Sequence, residues 1–151
     1  MFPFRKFPPL TDGEIELRVQ EQQEGDPAHG WMPTYTFGIV LAGTRTRVGA
    51  IELRIGYTWD LVRYNGHIGY GVAESHRGHH YAAKACRLIH PVAMAHGMDV
   101  LWITCNPDNW PSRKTCEYLG ATLVEIVDLP PQPDQPLEIP RQKCRYRWVI
   151  Y

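Results

Sequence analysis

The stretch GHIGYGVAESHRGHHYAAKACRLI, residues 66–89, changes character part-way along. Residues 66–73 carry glycines, β-branched and aromatic residues without helical spacing, and read as a strand. Glycines there weaken the side-chain lattice but let a second backbone or a ligand come close. From Tyr81 the apolar positions Tyr81, Ala85, Leu88, Val92 and Ala95 recur at four- and three-residue steps. That is one face of a helix, which Gly97 ends and which Pro91 is expected to kink. Between strand and helix stand His76, Arg77, His79 and His80.

This junction admits three chemistries. His76, His79 and His80 share the i, i+3, i+4 spacing that converges on a helix, but no Asp or Glu follows nearby to orient them as metal ligands. Solvated histidines at a helix start are the commoner case, and no metal is expected. Sixteen basic and sixteen acidic residues cancel without long runs of either sign, so neither nucleic acid nor an acidic membrane is an expected partner. A phosphate fits the context better. A helix N-terminus offers unpaired N–H groups and the positive end of its dipole, and Arg77 and the histidines add positive charge.

Outward from the junction, strands are expected over 13–19, 34–42 and 46–56, the last two joined by GTR as a hairpin, with a loop over 21–33. DVLWITCN (99–106) is a nearly continuous apolar run, the pattern of a strand buried on both faces. Asn109 caps a second helix, Pro111 suits its first turn and Gly120 ends it. A strand over 121–129, a loop over 130–142 with five prolines, and a strand over 144–151 complete the chain. Four mostly antiparallel strands, then helix, strand, helix and two strands make an α/β (α+β) mixed sheet.

At 151 residues and 44% apolar, the chain is expected to form one domain over residues 1–151. Cys86, Cys105, Cys116 and Cys144 are far apart, with no CxxC pair, which suits a reduced setting. The start, MFPFRKFPPL, is too short and proline-rich for a signal peptide, and no apolar run nears membrane-spanning length. The expectation is a cytoplasmic protein.

Residues 66–89, together with LWITCNPDNWPSRKTCEYLGA (101–121), resemble the core of the GNAT superfamily of N-acetyltransferases. That family's motif R-x-x-G-x-G/A, which wraps the pyrophosphate of acetyl-coenzyme A, is matched by Arg77, Gly78, His79, His80, Tyr81 and Ala82. Its second motif, N-x-x-(A/S) followed by a helix end, is matched by Asn109 to Ser112 and by Cys116 to Ala121. The resemblance covers residues 46 to 127 and, with the terminal RYRWVI, extends to a bacterial branch of predicted acetyltransferases.

The resemblance implies a mostly antiparallel central sheet with helices on both faces, and a cofactor cleft where the fourth and fifth strands splay. It implies acetyl-coenzyme A as cosubstrate, no metal, and transfer of its acetyl group to an amine of a small molecule or protein by direct attack. The pantetheine arm would pair with backbone around Tyr70 and Val72, and a backbone N–H of Val72 or Ala73 would hold the oxyanion. His67 and Glu52 are the candidate bases, against plainer parts as a strand histidine and a salt-bridged carboxylate. Asp60 and Arg54 are weaker candidates for holding the acceptor.

Two positions depart from the family pattern: His80 stands at the usual loop glycine, and Cys116 at the tyrosine that often protonates the leaving thiolate. Cys116 either takes that part or packs as a small buried thiol. Tyr118 faces elsewhere on the helix. Both departures also suit a non-catalytic acyl-coenzyme A-binding module, the alternative from another class. The family's acceptor helices lie where this chain has only the loop 21–33, so the acceptor is not carried over. Dimers are common in the family, and a homodimer fits the resemblance.

Overall fold

The computed structural model describes residues 1–131 and 141–151, so most of the proline-rich loop expected over 130–142 lies outside the described residues. Ile15 and Leu17 bury one side of strand β2 (Ile15–Gln23), which pairs antiparallel with β3 (Thr34–Leu41) across an irregularity between Val19 and Glu21. The strand expected over 13–19 therefore runs on to Gln23. Its polar second half pairs through backbone rather than through buried side chains. The connection that remains holds one 3-10 turn, Pro27–His29, capped by Asp26. A two-residue β1 (Leu10–Thr11), β4 (Arg47–Arg54) and β5 (Ile68–Val72) complete a five-stranded antiparallel sheet in the order β1-β2-β3-β4-β5. A π-helical turn, Leu61–Asn65, lies between β4 and β5.

After β5 the periodicity change becomes α1 (Tyr81–Ala95), which continues through Pro91. Then come β6 (Val100–Cys105), α2 (Trp110–Leu119), β7 (Thr122–Asp128) and β8 (Gln142–Val149). The last three strands form a second antiparallel sheet, ordered β6-β8-β7. Asn109 caps α2 by accepting from the Ser112 N–H at 3.2 Å, and Gly120, at φ +80°, ends it. β6 is not buried on both faces as its apolar run suggests. Leu101, Ile103 and Cys105 are buried, whereas Trp102 and Thr104 are half-buried. The Arg145 guanidinium lies 4.3 Å from the Trp102 ring, so an aromatic that counts as apolar in sequence serves as a platform for a cation.

Register decides where the core sits. Tyr35 pairs with Leu53, Leu53 with Ile68 and Ile51 with Tyr70, which places these side chains on one face. Ala85, Cys86, Ile89 and Val92 of α1 are fully buried in the same cluster. Each large apolar side chain so buried contributes roughly 1.5–3 kcal/mol. Both helices lie on this face: His96 after α1 bonds the Tyr35 hydroxyl, and Ser112 of α2 bonds the Tyr70 hydroxyl. The mixed α+β fold with a mostly antiparallel sheet is as expected, with both helices packed on this one face. Among the described residues no helix covers the opposite face, because the connection between β2 and β3 holds only its single turn. No helix among the described residues is long and apolar enough to cross a membrane.

Candidate active site

The two sheets meet at His67 and then part. The His67 N–H donates to Trp102 O at 2.7 Å, and the Trp102 N–H donates to His67 Nδ1 at 2.9 Å. That bond fixes the tautomer: Nε2 carries the hydrogen and donates to Gly56 O at 2.7 Å. Burial, reinforced by the Arg54 charge and only partly offset by the Gly56 carbonyl, lowers the His67 pKa to about 4. Gly66 is required beside it. Its φ is +72°, and a Cβ there would stand 2.9 Å from Trp102 O. Both ring nitrogens of this fully buried imidazole are engaged, which leaves no lone pair for an acceptor.

Beyond this joint β5 and β6 splay, leaving a cleft of about 180 Å³ between Ile68–Tyr70 and Ile103–Asn106, with Asn109 and Ser112 of α2 above it. The bonds Arg54 N–H to His67 O and Ala73 N–H to Val48 O fix the hydrogen-bonded pairs along β4 and β5. By alternation the N–H and C=O groups of Ile68, Tyr70 and Val72 point away from β4, into the cleft. Of the two expected oxyanion donors, Ala73 thus spends its N–H on Val48 O, while the Val72 N–H faces the cleft.

The far end of β5 leads into the histidine-rich turn. Arg77 Nε donates to Val72 O at 3.2 Å, holding the guanidinium over the strand end. Gly78, at φ +91°, has nothing within 4 Å of a would-be Cβ. His80 stands at the N-cap of α1 and makes no side-chain capping bond, so the first-turn N–H groups remain open to an anion. The His79 ring stacks on Tyr81 and the His80 ring on Tyr118. Among the described residues no group of three or more His, Cys, Asp or Glu side chains is placed to hold a metal.

Over the cleft, the Tyr70 hydroxyl lies 2.7 Å from Ser112 Oγ and 3.8 Å from Cys116 Sγ. Burial, with the neighbouring Cys116, drives the Tyr70 pKa well above the usual phenol range. Burial likewise pushes the Cys116 thiol up to about 12.

A larger cavity, about 620 Å³, opens beside the helix-free face. Glu52, Arg54, Leu61 and Asn65 line it, as do Glu24, Asp26 and Trp31 from the β2–β3 connection. Asp60 is exposed and is not part of this lining. Glu52 pairs with Gly69 across the sheet, and a Cβ at Gly69 would stand 3.2 Å from Glu52 Oε1. The carboxylate therefore rests over bare backbone on the strand that walls the cleft. Arg54 Nη2 donates to Glu52 Oε1 at 3.3 Å.

The family model described as an acetyltransferase (GNAT) domain matches residues 2–122. The chain belongs to this family. No curated protein matches the sequence. Among solved structures, a GNAT-family acetyltransferase from Bacillus anthracis is similar at 19% identity and TM-score 0.59, over 76% of this chain and 65% of that one. The microcin C7 self-immunity acetyltransferase MccE, in complex with acetyl-CoA and AMP, is similar at 18% identity and TM-score 0.58, over 78% and 61%. A putative ribosomal-protein-serine acetyltransferase from Vibrio cholerae is similar at 16% identity and TM-score 0.66, over 93% and 97%. At these identities the likeness is one of fold. The chain spans less than two thirds of the first two structures and nearly all of the third.

Both departures from the GNAT motifs have a physical account. His80, at the glycine position of the first motif, adopts φ +59°, ψ +28°, a left-handed conformation that histidine tolerates better than most side chains. Its ring lies flat on Tyr118, 4.2 Å between centroids, with the Arg87 guanidinium 4.9 Å from the same tyrosine. The imidazole is thus held against α2. Cys116, at the tyrosine position of the second motif, is fully buried against Tyr70. Sequence reasoning assigned Tyr70 a backbone part and missed its side chain, whose face follows from alternation along β5. It also missed Trp31, Glu24 and Asp26, which carry no motif.

Proposed function

We propose that this chain transfers an acetyl group from acetyl-coenzyme A to an amine, by direct attack of the amine on the thioester. One observation carries the proposal: Glu52 lines the larger cavity and rests over Gly69, which lines the β5–β6 cleft. An amine in the first space and a thioester in the second would meet across a strand position that has no side chain. Three carboxylates (Glu24, Asp26, Glu52) against one guanidinium (Arg54) make the cavity attractive to an ammonium ion. The amine must lose its proton before attack. Glu52 accepts it directly or through water, since His67 has no free nitrogen. As the oxyanion forms, an N–H directed into the cleft, from Tyr70 or Val72, donates to it.

The residues present suit coenzyme A. The open N-terminus of α1 and Arg77 would take the pyrophosphate, the clear space over Gly78 admits it, and the outward backbone of Tyr70 with the Val72 N–H would pair with the pantetheine arm. The acetyl-CoA in the MccE structure supports the same cosubstrate. The likeness to MccE and to the ribosomal-protein-serine acetyltransferase supports an amine on either a small molecule or a protein. The non-catalytic alternative drew on His80 and Cys116; the His80 ring is stacked away on Tyr118, and Cys116 is buried against Tyr70. Incubation with acetyl-coenzyme A and a panel of small amines, polyamines and N-terminal peptides, read by mass spectrometry, tests the proposal. Acetylated product from any member supports it. No product, together with no coenzyme A binding at millimolar concentration, sinks it.

A further inference from the structure

The Tyr70–Ser112 pair brings two hydroxyls together on the wall of the cleft and ties β5 to α2. The capping of α2 is done by Asn109, not by the Ser112 hydroxyl. Ser112 is 8% exposed, and both residues line the cleft. Tyr70 Oη has Ser112 Oγ at 2.7 Å, Ser112 O at 3.4 Å and Cys116 Sγ at 3.8 Å. Two hydroxyls carry two hydrogens, and the bond between them uses one. With Ser112 donating to Tyr70, the phenolic hydrogen is left to point elsewhere. The neighbours then available to it are the distant Ser112 carbonyl, a weakly accepting thiol, and whatever occupies the cleft. The buried Cys116 thiol leaves the room that the phenol fills.

We propose that the Tyr70 phenol, oriented by Ser112, donates a hydrogen bond to the coenzyme sulfur as it leaves. The inference rests on the acyltransferase reading above. In that reaction the amine nitrogen forms its bond to the carbonyl carbon, and the adduct collapses with rupture of the C–S bond. The bonding pair goes to sulfur, while the proton of the attacking nitrogen goes to Glu52 or water. The sulfur then carries the charge that the phenolic O–H faces. Burial holds the phenol protonated, so Tyr70 keeps its proton and stabilises the charge as a donor. The thiolate dissociates as such or takes a proton from water. Cys116, with its thiol fully buried, is not required for this step.

The test compares wild type and Tyr70→Phe on acetyl-coenzyme A and on its selenoester, whose selenolate is a weaker base and needs less stabilisation. For the thioester, kcat should fall about 10- to 100-fold, the worth of one hydrogen bond to an anion, with KM for the cosubstrate changed less than about threefold. For the selenoester the fall in kcat should shrink to within about threefold. Equal losses on both esters, or a loss confined to KM, would show a packing role and overturn the inference while leaving the acyltransferase reading intact. An unchanged kcat would do the same. Where Tyr70→Phe does not fold, Ser112→Ala must show the same ester dependence, and its absence overturns the inference. A wild-type protein inactive on both esters overturns the reading and the inference together.

Discussion

His80 carries the cost of a left-handed backbone that glycine would adopt freely, and its stack on Tyr118 offsets that cost. Because the ring is stacked on Tyr118 of α2 rather than over the turn before α1, His80→Gly should leave coenzyme A affinity within about threefold or tighten it. Calorimetry reads this directly. A loss beyond tenfold, about 1.4 kcal/mol, would mean that the imidazole itself contacts phosphate. Cys116 makes a second residue-level case. Supplying the family's usual phenol by Cys116→Tyr should not raise activity, because a fully buried site with Tyr70 Oη 3.8 Å away has no room for a second ring. Overpacking should cost about 1–3 kcal/mol, seen as a lower melting temperature with kcat at or below wild type. A faster enzyme with an unshifted melt would refute the packing account.

Among the elements, the turn into α1 is the anion site we propose, and its open N–H groups make a specific demand on the ligand. Coenzyme A should bind at least about tenfold more tightly than pantetheine, which lacks the pyrophosphate; equal affinities by calorimetry would remove the helix N-terminus from the site. This junction was legible in sequence because a glycine-bearing strand and a three-to-four-residue periodicity abut there, and because the contacts it offers are largely backbone. Elements whose logic is tertiary were less legible. The second half of β2, Glu21–Gln23, has no apolar alternation, since it faces solvent and is held by backbone pairing to Thr34–Thr36. The π-helical turn Leu61–Asn65 has no periodicity of its own to betray it. The Tyr70 phenol escaped notice because its partner Ser112 lies 42 residues away in sequence. The cavity escaped because Glu24, Asp26 and Trp31 meet Glu52 only once β2, β3 and β4 are laid side by side.

At the scale of the whole molecule, the cleft exists because two sheets are pinned at one point and free beyond it. The pin is His67, and its side-chain half holds only while the imidazole is neutral: a proton on Nδ1 would abolish the acceptor for the Trp102 N–H and bury a charge. The folded pKa of about 4 lies below the ordinary value of 6.5, so the unfolded chain binds this proton more readily than the folded one. Stability from His67 is therefore complete above pH 6.5 and is lost as pH falls toward 4. Over that window of roughly 2.5 units the loss amounts to about 3 kcal/mol, of which about 2 kcal/mol falls between pH 7 and pH 5. Carboxylates titrate over part of the same range, so the comparison needs a variant in which only this group is silent. Urea unfolding of wild type and His67→Gln at both pH values supplies it. His67→Gln should be the less stable protein at pH 7, through loss of the bonds to Trp102 and Gly56. It should also lose about 2 kcal/mol less than wild type on going to pH 5, so that the gap between the two narrows. Parallel losses in the two proteins would show that His67 is not held neutral by the fold, and the pin would have to be sought in the backbone bond to Trp102 alone.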